Sequence, residues 1–158
     1  MKTDIICVGK IKERYLEDAI AEYSKRLGSY VNLEIIEVKD EKTPDNATDK
    51  EIKKILETEG GRIRKYIDDK AHVFAMAIEG RQLTSEAFAK HLDELTMSAS
   101  RLQFIIGGSL GIDESIKKNA DELLSFSKMT FPHQLMRVIL LEQIYRAHKI
   151  IKSEPYHK

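Results

Sequence analysis

Apolar positions along this chain change period several times, and each change marks an element. Residues 2–8 form a short β-branched run ending at Gly9, which predicts a strand. Residues 13–27 then place Leu16, Ala19, Ile20, Tyr23 and Leu27 at helical spacing, an amphipathic helix stopped by Gly28. A second strand is expected over 31–38, followed by a polar loop at 39–47 containing Pro44. Thr48-Asp49-Lys50-Glu51 has the form of a capping box, opening a helix over about 49–66 in which Gly60-Gly61 is a point of weakness. The pattern continues with a strand at 73–78 and a helix at 85–97 that turns Ala87, Phe88, Leu92 and Leu95 inward. A strand at 102–106 runs into Gly107-Gly108, and a short helix to residue 120 is capped by Asp113. A fifth strand at 123–126 and a long helix from Pro132 to about residue 152 complete the chain. Strands and helices alternate throughout, which predicts an α/β fold: a mainly parallel sheet with helices on both faces, in one domain spanning 1–158.

The last helix departs from simple amphipathicity. Leu135, Met136, Val138, Ile139, Leu140, Leu141, Ile144, Tyr145, Ala147, Ile150 and Ile151 spread around nearly its whole circumference, broken by a strip of Glu142, Arg146 and Lys149 and another of His133, Arg137 and His148. One sheet face cannot cover all of it. Burial against a second copy of the chain accounts for the pattern and predicts a homodimer; burial at the centre of a single chain is the competing account.

Composition narrows the class. The chain has 158 residues, 42% of them hydrophobic, enough apolar material for a core. Its single cysteine excludes a disulfide scaffold, and no Cys/His cluster has zinc-ligand spacing, so no metal is expected. No run is long enough for a signal peptide or a membrane span, which predicts a cytoplasmic protein with no membrane partner. Lys and Arg number 26 against 26 Asp and Glu, but residues 125–158 hold six basic and two acidic side chains. That distribution allows a local basic surface or simply a solvated helix face.

Chemistry concentrates at three strand ends. Phe-Ile-Ile-Gly-Gly-Ser-Leu-Gly at 104–111 opens a strand into three glycines, which permit positive φ and close approach of a ligand or merely build a tight turn. Met76-Ala77-Ile78-Glu79-Gly80 and the segment 125–133 follow two other strands. Ligands of open α/β sheets bind outside the carboxyl ends of the strands, so the three turns are expected to converge on one pocket. Segment 125–133 mixes hydroxyls, backbone donors, Met129 and Phe131, a lining suited to an aromatic base with polar edges; alternatively its apolar side chains fill the core, and Thr130 caps the next helix in either case. His133 at the helix start is expected to have a depressed pKa from the helix dipole. His72 and His91 read as surface or strand-edge residues, and the tail ending in Tyr156 and His157 is either docked or frayed. A nucleotide-binding oxidoreductase using the glycine turn is disfavoured by the late position of that turn and by the lack of an acidic residue at the expected distance.

The Val8-Gly9-Lys10 opening, the 104–111 turn, the run from Leu124 to Arg137, Glu142-Gln143-Ile144-Tyr145-Arg146-Ala147 and the terminal Pro155-Tyr156-His157-Lys158 together resemble the bacterial ribosomal RNA large subunit methyltransferase H family, in order and over the whole length. The resemblance implies a SPOUT-class fold with a C-terminal trefoil knot, a homodimer, and S-adenosyl-L-methionine as methyl donor. It implies methylation of N3 of pseudouridine 1915 in helix 69 of 23S rRNA on the assembled 70S ribosome. Cofactor contacts carry over to Met76, Gly107, Gly108, Phe126, Ser127, Lys128, Met129, Thr130 and Phe131; Met76 stands where the family commonly has Leu, an exchange of similar volume. His133, Arg137 or His157 from the opposite subunit are the candidates to orient the base and handle its proton, with Arg146, Lys149, Lys152 and Tyr156 on the RNA. A ribosome-binding protein of the same fold without methyl transfer is the remaining alternative.

Overall fold

The computed structural model describes all 158 residues. Five strands, β1 (Lys2–Val8), β2 (Asn32–Val38), β3 (His72–Gln82), β4 (Arg101–Ile106) and β5 (Glu122–Ser125), alternate with α1 (Arg14–Leu27), α2 (Asp49–Arg64), α3 (Ser85–Thr96), α4 (Glu114–Asn119) and α5 (His133–Ile151). The strands form one all-parallel sheet in the order β2-β1-β4-β3-β5. Strand alternation divides the core in two. Ile5, Cys7, Phe74, Phe104 and Ile106 face α1, α3 and α5, while Ile6, Val8, Val73, Ala75 and Ile105 face α2 and α4. Such double coverage is why the central strands β1 and β4 carry unbroken apolar runs at Ile5–Val8 and Phe104–Ile106.

Local chemistry explains most boundaries. Thr48 accepts from the Glu51 amide while the Glu51 carboxylate accepts from the Thr48 amide, so α2 starts with a complete capping box. The Gly60-Gly61 pair does not break α2, and Gly60 lies where a side chain would strike the Asp113 carboxylate, its ideal Cβ 2.8 Å from Oδ2. Asp113 does not cap α4; its carboxylate is taken instead by Arg64 and the Ser115 hydroxyl. Thr130 is no cap either, since Pro132 occupies the position before α5. Gly28 ends α1 in right-handed geometry. On α3 the buried small residue is Ala89, whereas Ala87 is exposed.

The largest departure is β3, which runs four residues past its predicted end. Leu124 of β5 pairs first with Met76 and again with Arg81, so the residues between bulge out and the strand returns to the same neighbour. Gly80 permits this crossing: a Cβ there would sit 2.7 Å from the Leu123 and Leu124 backbone. β5 itself stops at Ser125, releasing Phe126 into the following loop. Helix α5 lies against α1 and α3, burying Leu140, Leu141, Ile144 and Ala147, and leaves Leu135 exposed with Val138 and Ile139 half-covered.

Candidate functional site

The carboxyl ends of β3, β4 and β5 surround a cleft of roughly 300 Å³, within the range of small-molecule sites. The three turns singled out by sequence meet here. Met76, Gly107, Gly108, Phe126, Ser127, Met129, Thr130, Phe131 and His133 all line it. Lys128, exposed, does not. A broader open groove between the end of α1 and the start of β2 contains none of the three strand-end turns.

The cleft owes its shape to the glycine turn. An added Cβ on Gly107 would lie 2.2 Å from the Gly111 carbonyl oxygen, so the strand can fold back on itself only without a side chain there. Of the three glycines only Gly111 needs positive φ, at 92°; Gly107 answers to close approach instead. The two loops leave their amides free. Gly108 and Gly111 pair with each other across the turn, Gly111 N–H donating to Gly108 O, and Met129 N–H donates to Ser127 Oγ, while the other amides of residues 107–111 and 127–131 make no turn or loop bond within the chain. Apolar walls of Met76, Ile106, Phe126 and Phe131 beneath such free donors suit a ligand with an aromatic ring and several polar edges.

Titratable groups stand at one rim. Lys117 donates to Glu79 at 2.8 Å, and this bond holds the Glu79 carboxyl below its ordinary range. Both residues line the cleft; Glu79 lies in the 76–80 turn that the sequence assigns to the pocket, whereas Lys117 carried no such signal, because only the fold brings α4 to the β3 bulge. His133 sits half-buried at the opposite rim with its pKa lowered, chiefly by burial and next by the Arg137 guanidinium, rather than by the helix start alone.

Arg137 is placed differently from expectation. It is 1% exposed, donating to Glu37 and to the carbonyls of Val8 and Gly9, so its guanidinium is turned toward the start of the 9–12 loop. Lys12 N–H of that loop donates to Gln134 Oε1.

The remaining candidates form a second group along α5. Glu142 accepts from Arg146 and, at 3.1 Å, from the Tyr156 hydroxyl, while the Arg146 guanidinium lies 4.8 Å over the Tyr156 ring. His157 meets Arg146 through Nδ1 and Glu86 through Nε2, so the tail is docked. Glu142, which organises this group, carried no signal in the sequence beyond its helical spacing from Arg146. Burial and the Glu142 contact push the Tyr156 phenol up to about 12. Lys149 is held by Glu154, leaving Lys128, Lys152 and Lys158 without an ion pair among the six C-terminal cations.

Comparison with known proteins agrees with this geometry. A family model described as a predicted SPOUT methyltransferase matches residues 1–157. The chain is 64% identical over 159 residues to the ribosomal RNA large subunit methyltransferase H of Bifidobacterium adolescentis, with 100% of both chains covered. It is 55% identical over 159 residues to that of Streptococcus thermophilus, again with 100% of both covered. Among solved structures, a probable methylase family protein from Haemophilus influenzae superposes with a TM-score of 0.58 at 9% identity, over 99% of this chain and 70% of that one, a likeness of fold.

Proposed function

The chain belongs to the SPOUT methyltransferase family, and from that premise we propose that it methylates N3 of pseudouridine 1915 in helix 69 of 23S rRNA, on the assembled ribosome in the cytoplasm, with S-adenosylmethionine as donor. One observation carries the reading: three turns far apart in sequence close on a single cleft whose walls are apolar and whose amides are free. Met76, Ile106 and Phe126 would flank the adenine, while free N–H groups of residues 107–111 and 127–131 would take its ring edges and the carboxylate. When bound, the cofactor supplies an electrophilic methyl group on a sulfonium. The same reading takes the return of β3 across β5 at Gly80 as part of a C-terminal trefoil knot.

An imino N3 is a poor nucleophile while it keeps its proton, so the protein must orient the base and help take that proton away as the N–CH3 bond forms. Two observations support His133 in that role: it borders the cleft, and burial together with Arg137 lowers its pKa and favours the neutral imidazole that can accept. Arg137, enclosed by Glu37 and two carbonyls, acts instead as a positioning residue for the 9–12 loop. In a homodimer the docked tail of the second copy brings Tyr156, His157 and Arg146 to the RNA, with Lys152, which has no ion pair, toward phosphate and Lys149 held by Glu154.

The test is methyl transfer from labelled S-adenosylmethionine by the purified protein to ribosomes that lack the modification, followed by nucleoside mapping. Label in a single pseudouridine of helix 69 is expected, and His133→Asn is expected to slow transfer on the order of a hundredfold with cofactor affinity kept. A protein that binds ribosomes but takes up no S-adenosylmethionine in calorimetry would be a binding module of this fold instead.

A further inference from the structure

Away from the cleft, at the opposite end of the same strands, two histidines and a glutamate converge from three elements. β3 begins at His72 and β5 at Glu122, and the register sets Phe74 opposite Glu122. Strand residues two apart share a face, so His72, Phe74 and Glu122 all point toward α3. Helix α3 adds His91, one turn beyond the buried Phe88. The Nε2 atoms of His72 and His91 lie 2.6 Å and 2.5 Å from the same oxygen, Glu122 Oε1. The two rings stand at 83° to each other, and Phe74 packs against both, with centroids at 4.9 Å from His72 and 6.0 Å from His91.

Hydrogen bonding alone leaves this cluster poorly balanced. Glu122 has no Lys or Arg partner, its Oε1 is shared by two imidazoles, and all three side chains are only 20–22% exposed. Two imidazole nitrogens and one carboxylate oxygen are, however, the donor set of a borderline transition-metal ion, and the three atoms lie within 4.8 Å of one another. A divalent ion among them neutralises the carboxylate and gives each ring nitrogen lone pair an acceptor. Bonds of about 2.0–2.1 Å in tetrahedral geometry separate donors by roughly 3.4 Å, so a rotation of the partly exposed Glu122 side chain opens the space.

We propose that His72, His91 and Glu122 form a binding site for a divalent transition metal, zinc in the first place, with water in the fourth position. The site clamps β3, α3 and β5 together. It is structural, because His72 precedes Met76 by four strand residues, about 13 Å along the chain at 3.3 Å per residue, which puts the ion well away from the cleft. It also sits just upstream of the 126–131 loop, whose Phe126 ring meets Phe88 of α3 at 6.3 Å between centroids.

The test is calorimetric titration of the chelator-treated full-length protein with zinc chloride, with cobalt(II) absorption as a second readout. One zinc per chain is expected, together with the intense visible bands of four-coordinate cobalt and a rise in melting temperature on adding zinc. His91→Gln and Glu122→Gln, which keep size and hydrogen-bonding capacity, are each expected to weaken zinc at least a hundredfold and to abolish the thermal shift. His157→Gln, outside the cluster, is expected to leave both unchanged. Absence of binding below millimolar free zinc, or binding that survives in both His91→Gln and Glu122→Gln, would overturn the proposal.

Discussion

A methyl group on Gly107 would sit 2.2 Å from the Gly111 oxygen and 2.9 Å from the Ile112 side chain, whereas one on Gly61 would meet nothing within 4 Å. The same substitution therefore has opposite signs at two glycines. Gly107→Ala must push backbone against backbone, and a cost of about 2–3 kcal/mol with loss of cofactor binding is expected. Gly61→Ala lies inside α2 and should stabilise by about 0.5–1 kcal/mol through helix propensity. Urea unfolding of the two variants beside the parent checks both. At the same scale, His133 and His148 have pKa values lowered, each first by burial. The unfolded chain then binds more protons than the folded one below the ordinary histidine pKa of about 6.5, so these groups favour folding at neutral pH and cease to do so as pH falls through that region. Unfolding midpoints measured between pH 5 and 7.5 should show stability rising with pH, with a shallower rise in His148→Gln; an unchanged slope would remove that histidine from the account.

Elements were legible wherever a local rule set them, and illegible where a distant one did. Periodicity places all ten, and the Thr48 to Glu51 box marks the start of α2 exactly where the chain puts it, because both partners lie within one turn. The extension of β3 escapes such reasoning: residues 79–82 are Glu, Gly, Arg and Gln, poor strand formers, and only their pairing with Leu124 and Ser125 keeps them extended. Arg137 shows the same limit at the site. Its helical position reads as polar and available, yet it is enclosed because the end of β1 with Gly9 after it, and Glu37 of β2, present Val8 O, Gly9 O and a carboxylate to it across a hundred residues or more. Arg137→Met separates the two roles for this side chain. As a positioning residue it should cost about 3 kcal/mol, the scale of leaving buried partners unsatisfied, and loosen the 9–12 loop, seen as faster amide exchange there. A variant equally stable and equally protected, but dead in methyl transfer, would return Arg137 to the substrate.

The whole molecule is where formal charge misleads most. The C-terminal segment reads as basic, but Arg137, Arg146 and Lys149 are spent on Glu37, Glu142 and Glu154, leaving Lys128, Lys152 and Lys158 free in each chain. Recognition of RNA then rests on few phosphates per copy, and pairing two copies doubles them. The exposed Leu135, beside half-covered Val138 and Ile139 on α5, is the apolar surface that a second copy would cover. Leu135→Glu should therefore yield monomers in sedimentation equilibrium. Because the cleft is built from one chain, the monomer should still bind S-adenosylmethionine while losing methyl transfer, the tail of the second copy being absent. Salt reads the same arrangement from the RNA side. If about three lysines of a dimer meet phosphate, affinity for ribosomes should fall on the order of twentyfold between 50 and 200 mM salt, and the Leu135→Glu monomer should show roughly half that slope on a logarithmic scale. Equal slopes for dimer and monomer would mean that one copy carries all the phosphate contacts and that the second serves only to complete the site.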